Sequence, residues 1–325
     1  MIGSDAQLES FVTPPSPVQL PERSAADGVL VSDGRRIRRF LHVEGAPVVV
    51  TLSAARSKEG RAFRLTADAL DPDLVDYQAG DDRSTDRRAA SPADLAVAIE
   101  RMRFALCLDE DLEAFYTSNR EDPLLAPVIA RRPWARPRRQ SWPWEALAWA
   151  IVGQSLEPSE SARLQRRIVH RWSPRVEVPG SVEVLSDFPS PQALADAAPA
   201  ELVSKGLSEA RAITLARAAR EVVSGRVDLD ELQSVARLLS IREIEESTLQ
   251  TFEAEGMGDL DSIPLGDPTV AKLVGRLGEL GRRASQEEVE EFFEPYAPWR
   301  GLAAAFALTG HYRAVVEGPP LRVAA

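Results

Sequence analysis

One aspartate and one short turn carry most of the chemical interest of this sequence. Asp267 lies in PLGDPTVAKL, directly before a proline and an apolar-periodic run. Asp followed by Pro at that place is an ordinary helix N-cap with proline at the first helical position. A carboxylate held beside a cleft has a second use: it stabilises a cationic, sugar-centred transition state electrostatically. Upstream, SIREIEEST at 240–248 joins two segments of helical character, LQSVARLL and LQTFEA. So short a link makes a hairpin, and Glu243-Ile244-Glu245 stands where such links usually want glycine. RRPWARPRR at 131–139 offers five arginines with one tryptophan; guanidinium groups grip phosphate and stack on bases, though a run like this also serves as a solvated linker. Trp142, Trp144 and Trp149 crowd the next helix; Trp149 shares helical spacing with Leu147 and Ile151 and reads as core. The sequence contains no Ser/His/Asp order, no phosphate-cradling glycine loop and no metal-ligand spacing.

Composition narrows the possibilities. A chain of 325 residues with 44% hydrophobic content can bury two or three cores. The net charge of −11 argues against a basic nucleic-acid binder while leaving room for a basic patch on one face. Cys107 is the lone cysteine, which excludes a disulfide framework and thiolate metal clusters. His42, His170 and His311 are far apart in sequence, so neither a metal nor another cofactor is expected. No window is apolar enough to span a membrane, and MIGSDAQLESF lacks the pattern of a signal peptide. The expectation is a soluble, cytoplasmic protein, nucleoid-associated if it binds DNA.

The elements that must position these residues fall into two classes, which makes the fold α+β. Residues 1–27, with TPPSPVQLPE, are expected to form a flexible arm. Residues 28–112 are expected to form a small domain built on an antiparallel sheet. Its strand signals run from GVLVSDGRRIRRFLHVEGAPVVVTLS to AFRLTA, with turns at Asp33-Gly34 and Glu44-Gly45, and a helix opens at Ser91-Pro92. Residues 113–315 are expected to be helical throughout, with capped segments such as WEALAWAIVGQSL, SEARAITLARAAREVVSG and PTVAKLVGRLGEL. Residues 316–325 are a tail.

The order WEALAWAIVGQSLEPSESARL…DFPSPQALADAAPAELVSKGLSEARAITLARAAREVVSGRVDLDEL…LL resembles the helix–hairpin–helix (HhH-GPD) DNA glycosylases of the 3-methyladenine glycosylase II type. The likeness runs from about residue 28 to about residue 313. It implies a base excision repair enzyme that flips a damaged, alkylated base out of duplex DNA. It aligns Asp267 with that family's catalytic aspartate and Glu243-Ile244-Glu245 with its Gly–apolar–Gly turn, without a gap. By the same likeness the hairpin residues Arg242, Glu243, Ile244, Glu245, Ser247 and Thr248 would meet DNA, and Gln154, Ser155, Trp144 and Trp299 are candidates for the base pocket or the wedge.

The departures from that family are chemical. Its hairpin glycines let backbone N–H groups reach a phosphate; glutamates there add bulk and repulsion, on the order of several kcal/mol each at close range before salt screening. Glu246, Glu253, Glu255, Asp259 and Asp261 extend the acidity, and Arg242 is the single cation from Ser240 to Asp261. Ser247 stands where lyase-type members carry the Schiff-base lysine, so a monofunctional enzyme is expected. Thr251 and Leu308 stand at positions of pocket aromatics, and Glu157 replaces a usual serine. A working glycosylase would need other cations to hold DNA: Arg131, Arg132, Arg136, Arg138 and Arg139, or Arg163, Arg166 and Arg167. The alternative is a catalytically silent homologue whose acidic hairpin meets a protein partner, with Asp267 kept as a helix cap.

Overall fold

The computed structural model describes residues 6–57, 60–77, 87–178 and 183–312. The strands are β1 (Gln7–Val12), β2 (Leu30–Ser32), β3 (Arg36–Val43), β4 (Ala46–Ser57), β5 (Gly60–Ala69), β6 (Val75–Asp76), β7 (Arg175–Glu177) and β8 (Val184–Ser186). The helices are α1 (Pro92–Ala105), α2 (Glu113–Ser118), α3 (Ala126–Arg131), α4 (Pro143–Gly153), α5 (Pro158–Trp172), α6 (Pro191–Asp196), α7 (Pro199–Ser204), α8 (Glu209–Val223), α9 (Leu232–Val235), α10 (Glu246–Phe252), α11 (Pro268–Leu277), α12 (Gln286–Phe293) and α13 (Arg300–Tyr312). A sheet-bearing N-terminal part followed by helices is the α+β class that the residue patterns predict. None of these helices is long and apolar enough to cross a membrane.

The chain packs as two compact units. The first comprises residues 1–14, 20–108 and 162–228. Its main sheet is antiparallel in the order β1-β5-β4-β3-β2. β3 and β4 are joined by Glu44-Gly45, with φ of 46° and 77°, the two-residue turn whose twist matches the strands it links. The Asp33 carboxylate accepts from the amides of Arg35 and Arg36 and closes the preceding turn. Ile37, Leu41, Val48, Val50, Leu52 and Leu65 are buried and share one face of the sheet, while Phe40 and its partner Val49 lie on the other.

Two expectations about this unit are corrected. The N-terminal segment is not a loose arm: Gln7–Val12 pairs with β5 from Gln7↔Asp68 to Val12↔Phe63. QLESFV carries a strand's alternation, but the prolines that follow it dominate the reading. Residues 162–228 do not join the helical domain; they pack with the sheet. β6, β7 and β8 form a second sheet there, and Phe40, Val176 and Leu185 share one apolar cluster. Asp187 ties this segment down by accepting from the His42 backbone amide and contacting its Nδ1, both at 2.8 Å.

The second unit comprises residues 15–19, 109–161 and 229–325; its last described residue is 312, so the tail at 316–325 lies outside the described residues. Pro15–Gln19 is held within it, Ser16 accepting from the Leu112 amide at 2.8 Å. Phe115, Leu273, Phe293, Leu302 and Phe306 centre its core. α13 is rich in alanine because its neighbours come close. A Cβ added at Gly301 would sit 2.1 Å from the Ser262 carbonyl oxygen, so only glycine lets α13 approach the loop before Asp267.

The cap of α1 makes a pH prediction. Asp94 completes a capping box with Ser91 and takes both Arg88 guanidinium nitrogens, at 2.6 and 2.8 Å. The guanidinium, with the Ser91 hydroxyl and amide, holds its carboxyl well below the usual carboxylate range. A depressed folded value contributes stability above the unfolded value of about 3.9 and loses it as pH falls through the folded value. Asp94→Asn is expected to lower stability at neutral pH by about 1 kcal/mol, the size of a lost cap, because solvent reaches the Arg88 side of the pair. Urea unfolding from pH 7 downward should show that gap closing below about pH 4.

Candidate active site

The hairpin is shorter on its first side than its periodicity predicts. α9 spans four residues, and Ala236–Ser240 continues it as a tighter 3-10 turn. The link is closed by the Ile244 amide donating to the Ile241 carbonyl at 3.1 Å. Ile241 and Ile244 are buried and anchor it, while Arg242, Glu243, Glu245 and Glu246 are exposed. Glu243 has φ of 72°, the left-handed conformation that favours glycine. The backbone therefore keeps a glycine-type turn although the residue is glutamate. Arg242 reaches Glu243 at 3.4 Å, but both are solvated and the pair adds little. Glu245 is the N-cap of α10 without a side-chain cap bond. Ser247 and Thr248, expected to meet DNA, are 3% and 2% exposed and face the protein interior instead. The apolar side of α10 packs on α4 and draws both inward.

Asp267 is the N-cap of α11, with Pro268 at the first helical position. Its Oδ1 accepts from the Thr269 amide at 2.8 Å and from the Thr269 hydroxyl at 2.7 Å. Both bonds use Oδ1; Oδ2 takes no hydrogen bond among the described residues. Asp267 also lines a cavity of about 230 Å³. One oxygen thus orients the carboxylate while the group as a whole borders open space. The cap and the cleft are both present.

The loop that delivers Asp267 is clamped from two sides. Asp261 accepts Arg300 Nε at 3.0 Å and the Arg300 amide at 3.0 Å, and Leu302 donates to the Leu260 carbonyl at 2.9 Å. Those bonds from Arg300 hold the Asp261 carboxyl below its ordinary range. On the other side the Ser155 amide donates to the Gly266 carbonyl at 3.2 Å. Ser155 is exposed with φ of 58°, so the expected wedge position stands beside the residue that precedes Asp267. Its loop is pinned further: Glu157 takes Lys272 at 2.5 Å and Arg283 at 2.6 Å. Gln154 is the C-cap of α4.

The cavity wall is charged rather than aromatic. Arg136 and Arg138 line it with Glu255, Asp259 and Leu308, the last at a place where an aromatic was expected. Arg138 donates through Nε and Nη2 to buried Glu255, at 2.8 and 2.5 Å, and Gln140 adds a bond at 3.3 Å. Asp259 accepts from Ser262 at 2.8 Å. The acidity from Glu253 to Asp261 is therefore largely internal: Glu255 and Asp261 each face a guanidinium. Reading the string as extended repulsion missed this, because the partners lie more than a hundred residues upstream for Glu255 and 39 residues downstream for Asp261.

Other expected site residues are placed differently. Trp144 is fully buried in α4 and is core, so no base can stack on it. Trp299 packs on the core with its ring 6.2 Å from Phe115 and is not among the residues lining the Asp267 cavity. Arg139 is buried, bound to Glu110 at 2.5 Å and to the Gly258 carbonyl at 2.8 Å. Arg136 donates to the carbonyls of Ala135 and Pro17. Arg131 and Arg132 are exposed and line a different cavity. Arg163, Arg166 and Arg167 are exposed on the part of α5 that belongs to the first unit, with Arg166 on the Ala26 carbonyl and Arg167 on the Lys205 carbonyl. The arginines thus do not act as one patch. Among the described residues, no group of three or more His, Cys, Asp or Glu is arranged to hold a metal ion.

Comparison with known proteins shows what this arrangement is similar to. Residues 148–298 match the model of the HhH-GPD superfamily base excision DNA repair protein. A DNA-3-methyladenine glycosylase of Bacillus subtilis is 23% identical over 207 residues, covering 61% of this chain and 67% of that one. A probable bifunctional transcriptional activator/DNA repair enzyme AlkA of Mycobacterium tuberculosis is 25% identical over 228 residues; the match covers 70% of this chain and 45% of that longer protein. The solved 3-methyladenine DNA glycosylase of Archaeoglobus fulgidus has the same fold, with a TM-score of 0.71 at 20% identity over 94% of this chain and 98% of that one. The hairpin turn and Asp267 both fall inside residues 148–298, the span of the chain that is similar to the HhH-GPD superfamily of base excision DNA repair proteins.

Proposed function

We propose that the protein is a monofunctional DNA glycosylase that removes an alkylated, positively charged base from duplex DNA. The observation that carries this reading is the divided duty of Asp267, capped through Oδ1 and bordering a cavity. The carboxylate would stabilise the oxocarbenium sugar as the bond from C1′ to the base breaks and the base leaves with the electron pair. Water then adds at C1′ and gives up its proton. A cationic base needs no general acid, because it leaves neutral. With Glu255 compensated by Arg138, the lining keeps one carboxylate in excess of its guanidiniums, which suits such a base in place of an aromatic cage. At about 230 Å³ the space suits one ring system rather than a drug-sized ligand.

Two measurements test this. Asp267→Asn keeps an N-cap side chain, so folding should survive while base release from alkylated duplex DNA falls by about 10²–10³-fold. Unchanged release would remove Asp267 from the chemistry. The lysines of the chain are Lys58, Lys205 and Lys272, and Lys272 is committed to Glu157. Borohydride added to a reaction on an abasic duplex should therefore trap no covalent adduct; a trapped adduct would make the enzyme a lyase.

The exposed acidic turn also supports a second reading, in which the hairpin meets a protein and catalysis is lost. The double substitution Glu243→Gly, Glu245→Gly separates the two. Relief of the left-handed strain at Glu243 should raise stability by roughly 1 kcal/mol in urea unfolding. If the hairpin approaches phosphate, the same variant should bind duplex DNA at least about tenfold tighter at low salt, with a steeper salt dependence. Affinity unmoved by the change would favour the protein-binding reading.

A further inference from the structure

We propose a second ligand site, separate from the Asp267 cavity, that binds a nucleoside monophosphate at the C-terminal end of α3. The second unit holds a cavity of about 630 Å³ there, a size ordinary for a small-molecule site. Leu124, Val128, Leu277 and Phe292 form an apolar wall. The ionisable groups lining it are Arg131, Arg132, Tyr296 and His311, with no carboxylate among them. That is a marked local reversal in a chain of net charge −11. The Asp267 cavity, by contrast, sets three carboxylates against two guanidiniums.

The cations are available. The Arg131 side chain is exposed and makes no hydrogen bond or ion pair with another described residue. Arg132 spends one Nη1 bond on the Thr309 carbonyl, at 2.6 Å, and keeps its remaining donors. His311 Nδ1 lies 3.0 Å from the Ala307 carbonyl, which can only accept; Nδ1 therefore carries a proton, and Nε2 is left for a ligand. Asp122 approaches the wall through Tyr296, whose hydroxyl donates to it at 3.2 Å, and is otherwise occupied by the amides of Leu124 and Leu125. Neighbouring guanidiniums suit the fork geometry of a phosphate. An apolar wall with an aromatic edge suits a flat ring. A small anion alone would leave that wall unused, and an apolar ring alone would leave the arginines unused. A nucleoside monophosphate uses both.

Isothermal titration with deoxyadenosine monophosphate tests the site, with inorganic phosphate and deoxyadenosine as separate probes. Wild type should bind the nucleotide at least about tenfold tighter than either part. Arg131→Glu reverses an exposed charge and should weaken nucleotide binding at least about tenfold, whereas Asp267→Asn should leave it unchanged. No binding by wild type would overturn the proposal. So would full affinity in Arg131→Glu, or loss confined to Asp267→Asn, which would assign the nucleotide to the other cavity. Phosphate binding as tightly as the nucleotide would reduce the site to a plain anion pocket and reject the ring component. Nucleotide binding by Asp267→Asn is read independently of that variant's base release, so failure here and failure of the glycosylase reading are told apart.

Discussion

The bond from the Thr269 amide to Asp267 Oδ1 is the constraint on which the site depends. A helix start leaves amides without partners, and a carboxylate is the side chain that satisfies them while keeping an oxygen to spare. The requirement of the helix is met by one carboxylate oxygen, and the chemistry proposed for Asp267 would use the same residue in the same rotamer. Proline at the next position removes one of the unpaired amides, so a single carboxylate oxygen suffices for the cap. What remains is to hold the loop before it, and Arg300–Asp261 on one side and Ser155–Gly266 on the other do that.

Charge compensation is the second theme. The stretch from Glu243 to Asp261 looks like a continuous negative surface in one dimension. In three dimensions it separates into two parts. Glu255 and Asp261 face Arg138 and Arg300 and serve as structural ties. Glu243, Glu245 and Glu246 stay in solvent. The arginines divide in the same way: Arg138 and Arg139 hold carboxylates inside the fold, and Arg131 and Arg132 line another cavity that has no carboxylate among its lining residues. The electrostatic character of each residue is therefore set by its partner and its burial rather than by its neighbours along the chain.

The hairpin shows a backbone retained after its side-chain logic has changed. Ile241 and Ile244 fill the core beneath the turn, and the i to i+3 hydrogen bond closes it. With both ends fixed, the residue at 243 has to take a left-handed φ whatever its side chain is. Glutamate accepts that cost, which small packing gains elsewhere can offset. The geometry of this turn therefore does not require glycine at position 243.

Much of the fold was legible from residue order. Turn pairs such as Glu44-Gly45 act locally, and so do the caps at Ser91 and Asp267; their geometry follows from φ preferences and hydrogen-bonding groups within a few residues. Periodicity likewise marked α4, α8 and α11. β1 was obscured by the prolines after it, and β7 and β8 were too short for any period to show. The assignment of residues 162–228 to the sheet's unit rests on contacts such as His42–Asp187, 145 residues apart, which no local pattern encodes. By itself the sequence determined that Asp267 caps a helix, that a turn follows α9, and that no lysine stands at the hairpin, because each is a statement about neighbours. Tertiary structure alone decided that Asp267 borders a cavity, that Trp144, Ser247 and Thr248 are buried, and which arginines are spent on carboxylates. Burial and ion pairing join residues distant in sequence, and they exist only once the chain has packed.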